Sequence, residues 1–274
     1  MKMEWSKTKT IFILAFLILD IYLAYEYFQL RGESNYAVIQ EATIEEKLDA
    51  EGIEYKNELP QDIGKGYYIT AKSKDFTLEE ISNLKNQTMV VSNSNLPIDS
   101  FRTLNMELKD PFPLPEVNVK SKINQFLREN IIGGELYHYW YTDEKTNSII
   151  CIQQYKNQNI FQSKEDHIAM VIFYLNEDRE IFAYEQSMLE DINEVEEKET
   201  AISPLKALEA LYNKNFLKSN SKIEDIEYGF YTHIPLTNQQ ILAPIWHIIV
   251  ENEQKEREDY YVNALEGDVL LLTE

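Results

Sequence analysis

Apolar positions along the chain fall into two regimes. Over residues 11–28 they are almost continuous, reading IFILAFLILDIYLAYEYF; beyond residue 30 they recur with short periods and are broken by polar turns. The continuous run predicts a single helix. At about 1.5 Å per residue its 18 residues reach roughly 27 Å, close to the hydrocarbon thickness of a bilayer.

The periodic part predicts alternating helices and strands. Thr43, with Glu46 three residues later and Ile44 and Leu48 at helical spacing, predicts a capped helix that Gly52 stops. Residues 53–59 and 66–72 read as strands around a Pro/Asp/Gly turn, 75–81 opens a second short helix, and 88–91 and 100–108 read as strands. The stretch Asp110-Pro111-Phe112-Pro113-Leu114-Pro115 is excluded from helix and from central strand, because prolines remove donors and fix φ; it is read as a domain boundary. A helix over 121–132 ends at Gly133-Gly134. Hairpins then pair 135–142 with 148–155 and 168–175 with 180–187. Pro204, just after Ser203, starts a helix with Leu205, Leu208, Leu211 and Tyr212 on one face; strands follow at 223–231, 243–251, 259–263 and 269–272. The order of helix and then meandering strands occurs twice in this half. The fold class expected is α+β, antiparallel sheets with packed helices. The expected organisation is a tail over 1–10, a transmembrane helix over 11–28, and two α+β subdomains over 29–115 and 116–274.

Charge sharpens this division. The chain of 274 residues carries 26 basic and 47 acidic groups, net -21. Residues 1–31 hold Lys2, Lys7, Lys9 and Arg31 against Glu4, Asp20 and Glu26, which leaves 22 basic and 44 acidic groups, net -22, for residues 32–274. Such a surface repels phosphate backbones, so nucleic acid is excluded as a partner. The lysines before the apolar run place the N-terminus in the cytoplasm and residues 32–274 outside the cell. The run leads into Ala24-Tyr25-Glu26-Tyr27 with no small-residue cleavage pattern, which favours an uncleaved anchor over a signal peptide.

Asp20 lies near the middle of this span, where a carboxylate costs about 2.5–3.5 kcal/mol. Two readings stay open. Either the helix is shifted and Asp20 sits near the outer headgroups, or Asp20 bonds a polar group on a partner helix. In the second case Phe16, Leu17, Leu23, Ala24 and Tyr27, which share its helical face, are the candidate partner-binding residues.

No reaction chemistry is legible. His138, His167, His233 and His247 are scattered without metal-ligand spacing, and no nucleophile elbow, phosphate loop or dinucleotide fingerprint occurs. No cofactor and no metal are expected. Cys151, the one cysteine, lies in an apolar run and reads as a buried hydrophobe; no intrachain disulfide is possible. The acidic run over 190–199, EDINEVEEKE, reads as a solvated loop or helix face, with a basic partner surface as the alternative. In the run Tyr137-His138-Tyr139-Trp140-Tyr141, strand alternation puts the three tyrosines on one face and His138 and Trp140 on the other.

Two regions resemble a known family. The entry Trp5-Ser6-Lys7-Thr8-Lys9-Thr10-Ile11-Phe12 into the apolar run is similar to the start of the YycI (WalI) regulatory proteins. Leu242-Ala243-Pro244-Ile245-Trp246 and Tyr260-Tyr261-Val262-Asn263-Ala264-Leu265-Glu266-Gly267 also resemble that family, the latter in a form shared by modules of the YycH and PepSY type. The resemblance implies a Gram-positive cell, a single-span membrane protein, and work with the anchored protein YycH on the WalK (YycG) sensor histidine kinase, which controls cell-wall metabolism. It implies no catalytic residues. The competing expectation is an anchored binding or inhibitor module that acts on a cell-wall peptidase.

Overall fold

A computed structural model describes residues 5–33, 42–55, 59–90, 101–163, 166–232 and 239–270. The expected strand positions 56–58, 91, 100 and 271–272, and His233, lie outside the described residues. Contacts divide the chain into two units, 1–47 and 48–274.

The first unit contains α1 (Trp5–Glu33), continuous over 29 residues. Its large apolar side chains between Phe12 and Tyr27 are 47–66% exposed. Among the described residues no helix is long and apolar enough to cross a membrane. The helical backbone of α1 continues through Ile11 and Phe28, whose side chains lie outside the described residues. Helix α2 (Ile44–Ala50) opens on the expected capping box: the Thr43 N–H donates to Glu46 at 3.0 Å, and the Glu46 N–H to Thr43 Oγ1 at 3.3 Å.

The remaining elements are β1 (Glu54–Tyr55), β2 (Lys65–Gly66), β3 (Ile69–Ser73), α3 (Leu78–Ser82), β4 (Gln87–Met89), β5 (Thr103–Pro113), α4 (Val119–Asn130), β6 (Tyr137–Asp143), β7 (Ser148–Tyr155), β8 (Gln158–Phe161), β9 (Met170–Leu175), β10 (Glu180–Ser187), β11 (Leu189–Glu194), β12 (Glu199–Thr200), α5 (Pro204–Asn213), β13 (Lys222–Tyr231), β14 (Gln239–Glu251), β15 (Arg257–Asn263) and β16 (Val269–Leu270). The α+β class expected from the sequence is the class observed.

The architecture follows from two helix-and-meander motifs. Helix α4 precedes the antiparallel neighbours β6-β7-β9-β10, and α5 precedes β13-β14-β15-β16. Ile123, Phe126 and Leu127 of α4 bury one face of the first sheet against Ile149, Cys151, Val171 and Phe173. The opposite face, Ile150, Ile152, Met170 and Ile172, packs on Phe161, Tyr231, Ile245 and Tyr261 of the second sheet. Strand β7 is therefore buried on both faces, which is why 149–152 is an unbroken apolar run rather than an alternation. Helix α5 buries Ala207, Leu208 and Leu211 beyond the second sheet. Its N-terminal approach is fixed by the Trp246 Nε1–H, which donates to the Ile202 carbonyl at 2.9 Å. The order of layers is helix, sheet, sheet, helix.

Strands from the first third extend both sheets. β5 pairs with β10 and β4 with β5, β3 lies between β11 and β14, and β1 runs parallel to β13. Strands on either side of residue 115 thus share sheets, and the contact division falls at 47/48. The proline stretch enters a strand after all. β5 reaches Pro113, with Pro111 in an irregular register between Glu107↔Ala183 and Phe112↔Ile181 and Pro113 at the strand end. Both positions spare the ladder a donor it does not need. Strand β8, absent from the sequence pattern, pairs with both β7 and β13 and joins the two sheets.

Candidate functional site

Helix α1 carries all six candidate partner-binding residues. Phe16, Leu17, Leu23, Ala24 and Tyr27 stand four and three residues before, and three, four and seven after, Asp20, so helical geometry puts them on its side. Phe16 is 61% exposed, Leu17 53%, Leu23 54% and Tyr27 57%, and Asp20 and Ala24 are exposed too. On a different side of α1, the Tyr22 hydroxyl donates to Glu26 at 3.1 Å.

In the second unit a polar constellation lies between the two sheets. The alternation expected for the aromatic run breaks at a β-bulge: Tyr139 faces Cys151 and Tyr141 faces Ile150, so Trp140 is the extra residue. Tyr137 and Tyr139 stay with the α4 core, whereas Tyr141 swings to the face of Trp140. The Trp140 and Tyr141 rings meet edge to face at 4.9 Å. The Arg257 guanidinium lies 5.8 Å from the centre of Trp140 and 5.1 Å from that of Tyr141. It grips Asp259 with two bonds, Nε at 2.9 Å and Nη2 at 2.7 Å. Asp259 Oδ1 also sits 2.7 Å from Nε2 of the fully buried His247. Burial pushes the Asp259 carboxyl up, but the bonds from His247 and Arg257 outweigh it and hold it at about 2. Asp259 is therefore anionic and accepts from His247 Nε2, while the buried Nδ1 of His247 has no hydrogen-bond partner among the described residues. Phe161, at 4.4 Å, and Tyr261, stacked at 4.9 Å, close the ring in. His247 has no exposed surface, and Arg257 ties β15 of the second sheet to the aromatic pair on β6 of the first.

The other histidines are separate from it. His138 is half-buried on β6 with an unpartnered Nδ1; burial, with Lys120 adding, pushes it down to about 4. His167 pairs with Glu185 at 2.9 Å. Cys151 is fully buried, and burial pushes its thiol up. Among the described residues no group of His, Cys, Asp and Glu is placed to hold a metal ion.

The acidic run divides: 195–198 are the exposed loop that the sequence suggests, but its first five residues belong to a strand. Residues 189–194 form β11 against β3, and lysines meet its acids: Lys72 with Asp191 at 2.9 Å, Lys74 with Glu190 at 3.4 Å, and Lys156 with Glu194. Tertiary pairing overrides the charge pattern in this part, because the cations come from segments distant in sequence.

These features define an α+β protein of two helix-and-meander layers whose N-terminal unit presents an exposed apolar helix with a carboxylate, Asp20, near its middle. The chain belongs to the YycI family: residues 33–265 match the family described as YycI protein. No curated protein matches the chain. Among solved structures, an uncharacterized protein from Eubacterium rectale is similar at 10% identity and a TM-score of 0.46, over 81% of this chain and 91% of that one.

Proposed function

We propose that this protein is a membrane-anchored negative modulator of the WalK (YycG) sensor histidine kinase of a Gram-positive cell, acting together with YycH. In this reading α1 crosses the membrane with its N-terminus in the cytoplasm, and residues 32–274 stand outside. Membership of the YycI family supports the two-component setting. The observation that carries the anchored mechanism is α1 itself. An apolar side chain left in water forfeits about 25 cal/mol per Å², and α1 exposes twelve large ones over sixteen positions. Its 29 residues, at about 1.5 Å each, exceed a bilayer core.

Regulation then works by population shift: the helix and the outer unit bind one kinase state better than the other, and only that difference counts. Asp20 supplies a polar contact inside the bilayer, with Phe16, Leu17, Leu23, Ala24 and Tyr27 packing around it. The outer unit contributes fixed surfaces rather than chemistry.

The test is photocrosslinking from intact membranes, with a photoreactive residue at position 20 of the full chain. Adducts with the sensor kinase or with YycH are expected. Adducts with lipid alone, with protein partners captured only through the outer unit, would overturn the helix-contact mechanism and favour an anchored binding module acting on a wall enzyme.

A further inference from the structure

The second unit begins at Leu48, inside α2, so the chain enters it through residues 48–55. Leu48 and Ile53 are buried, and Glu51 between them gives its carboxylate to the end of α5 and the loop that joins α5 to β13. The Tyr212 hydroxyl donates to Glu51 Oε1 at 2.9 Å, and the Ser219 hydroxyl to Oε2 at 2.9 Å. The backbone repeats the connection. The Asn220 N–H donates to the Glu51 carbonyl at 2.9 Å, and the Glu54 N–H to the Ser221 carbonyl at 3.0 Å. Strand β1 then pairs Glu54 with Lys222 and Tyr55 with Ile223. The approach is close: a Cβ on Gly52 would stand 2.7 Å from Asn220 Oδ1. Among the described residues, and apart from the helical bonds of α2 itself, the hydrogen bonds that leave residues 48–55 all end between 212 and 223.

That loop hands the connection on to β15. Asn220 Nδ2 donates to Glu253 Oε1, in the turn before β15, at 2.7 Å. The Tyr260 hydroxyl of β15 donates to the Phe216 carbonyl at 3.2 Å, with the two rings 5.5 Å apart. Lys214 meets Asp268, just beyond β15, at 3.2 Å. Strand β15 also carries Arg257 and Asp259, and Arg257 is the group laid against Trp140 and Tyr141 of the first sheet. A continuous run of bonded groups therefore leads from Glu51 through 212–221 to β15 and across to β6. Its most exchangeable link is the Glu51 side chain, whose two bonds go to hydroxyls near the surface, where water substitutes for either.

We propose that the contact of Glu51 with Tyr212 and Ser219 is a coupling clip. Engaged, it passes a displacement of the chain before residue 48 to β15 and so to the contact between the sheets. Released, it lets residues 48–55 move without them. The clip is the two-state element that such coupling requires, and Glu51, Tyr212 and Ser219 are its positioning residues. The inference rests on the anchored reading above for the source of the displacement, a membrane helix; the clip itself stands on the contacts within the second unit.

The test compares hydrogen–deuterium exchange of the full-length chain in mild detergent with kinase output in cells. The double variant Tyr212→Phe/Ser219→Ala removes both donors. It is expected to speed exchange of residues 48–55 about tenfold, the scale of lost bonds to a charged group, and that of residues 214–221 and 257–260 about threefold, with β7 and β9 unchanged. Glu51→Gln keeps an acceptor oxygen and offers the second hydroxyl a donor, so it should stay within about twofold of wild type. Faster exchange confined to 48–55, or found nowhere, would overturn the clip. In cells the double variant should lose kinase modulation at unchanged abundance, and full modulation despite a released 48–55 would equally overturn it. A wild-type chain that did not modulate the kinase would defeat the proposed function instead, and the exchange pattern would still decide the clip. Should the double variant misfold, Tyr212→Phe and Ser219→Ala alone, each of which keeps one bond, are judged by the same pattern.

Discussion

Asp259 shows how much one carboxylate organises. It is the common partner of a buried imidazole and of a guanidinium laid against two aromatic rings, so its removal leaves two groups unsatisfied rather than one. Its pKa is depressed to about 2 from 3.8. A depressed acid contributes stability that is present above the unfolded pKa and is lost as pH falls through the folded one. The drop of about two units corresponds to at most about 2.7 kcal/mol, and to about 2 kcal/mol once solvent screening of the partly exposed carboxylate is allowed for. Asp259→Asn is therefore expected to lower unfolding stability by about 2 kcal/mol at pH 6. The gap to wild type should shrink as pH falls from about 4 towards 2, as urea unfolding across that window would measure. A gap unchanged down to pH 2 would mean that shape, and not charge, is what Asp259 supplies.

Elements are legible where their determinants are local. The capping box Thr43/Glu46 and the Ser203-Pro204 start mark two helix origins within four residues of sequence, and both helices begin there; the helix read from 75 begins at Leu78, where Thr77 and Glu80 form a capping box. The hairpin strands 148–155 and 180–187 fall where alternation and turn residues put them. What escapes the sequence depends on distant partners or on unusual turns. Strand β8 follows a two-residue turn in which Lys156 and Asn157 both take positive φ, +51° and +63°, without a glycine to announce it. Strand β11 looks solvated because its compensating lysines, Lys72, Lys74 and Lys156, come from segments distant in sequence. The bulge at Trp140 is a register event between β6 and β7, invisible to a period-two count. At the candidate site, the face around Asp20 is readable from helical spacing alone. Arg257 and Asp259, two apart on β15, share a face and could be paired from sequence, but only the register with β14 brings His247 to them. The helix α4 adds a constraint of close approach. A Cβ on Gly134 would sit 1.7 Å from the Leu127 carbonyl oxygen, backbone that cannot step aside. Gly134→Ala is expected to cost about 3 kcal/mol or more by prising α4 from β6. Gly64→Ala, with open space but a φ of +68°, should cost about 1 kcal/mol. Thermal melts of the pair would test this, and equal losses would show that the α4 junction relaxes.

At the scale of the whole molecule, the second unit keeps its own core, two sheets closed by a helix on each outer side, while the first unit offers an apolar helix with Asp20 near its middle. That partition makes the anchor and the outer fold separately removable, which is what a decisive substitution needs. Asp20→Leu takes away a group that costs about 2.5–3.5 kcal/mol near the centre of a bilayer, so the proposed anchor should insert at least as well as wild type. If Asp20 instead serves as a polar contact to a partner helix, the same change should abolish modulation of the kinase while the protein stays in the carbonate-resistant membrane fraction at unchanged abundance. Asp20→Asn keeps an acceptor and adds a donor, and is expected to retain part of the effect. Kinase output, read from a reporter of the response regulator beside the fractionation, separates the cases. Full modulation by Asp20→Leu would assign Asp20 to the outer headgroups and leave regulation to the acidic outer unit. A chain lacking residues 1–33 that still modulated the kinase would show the anchor to be a tether and no more.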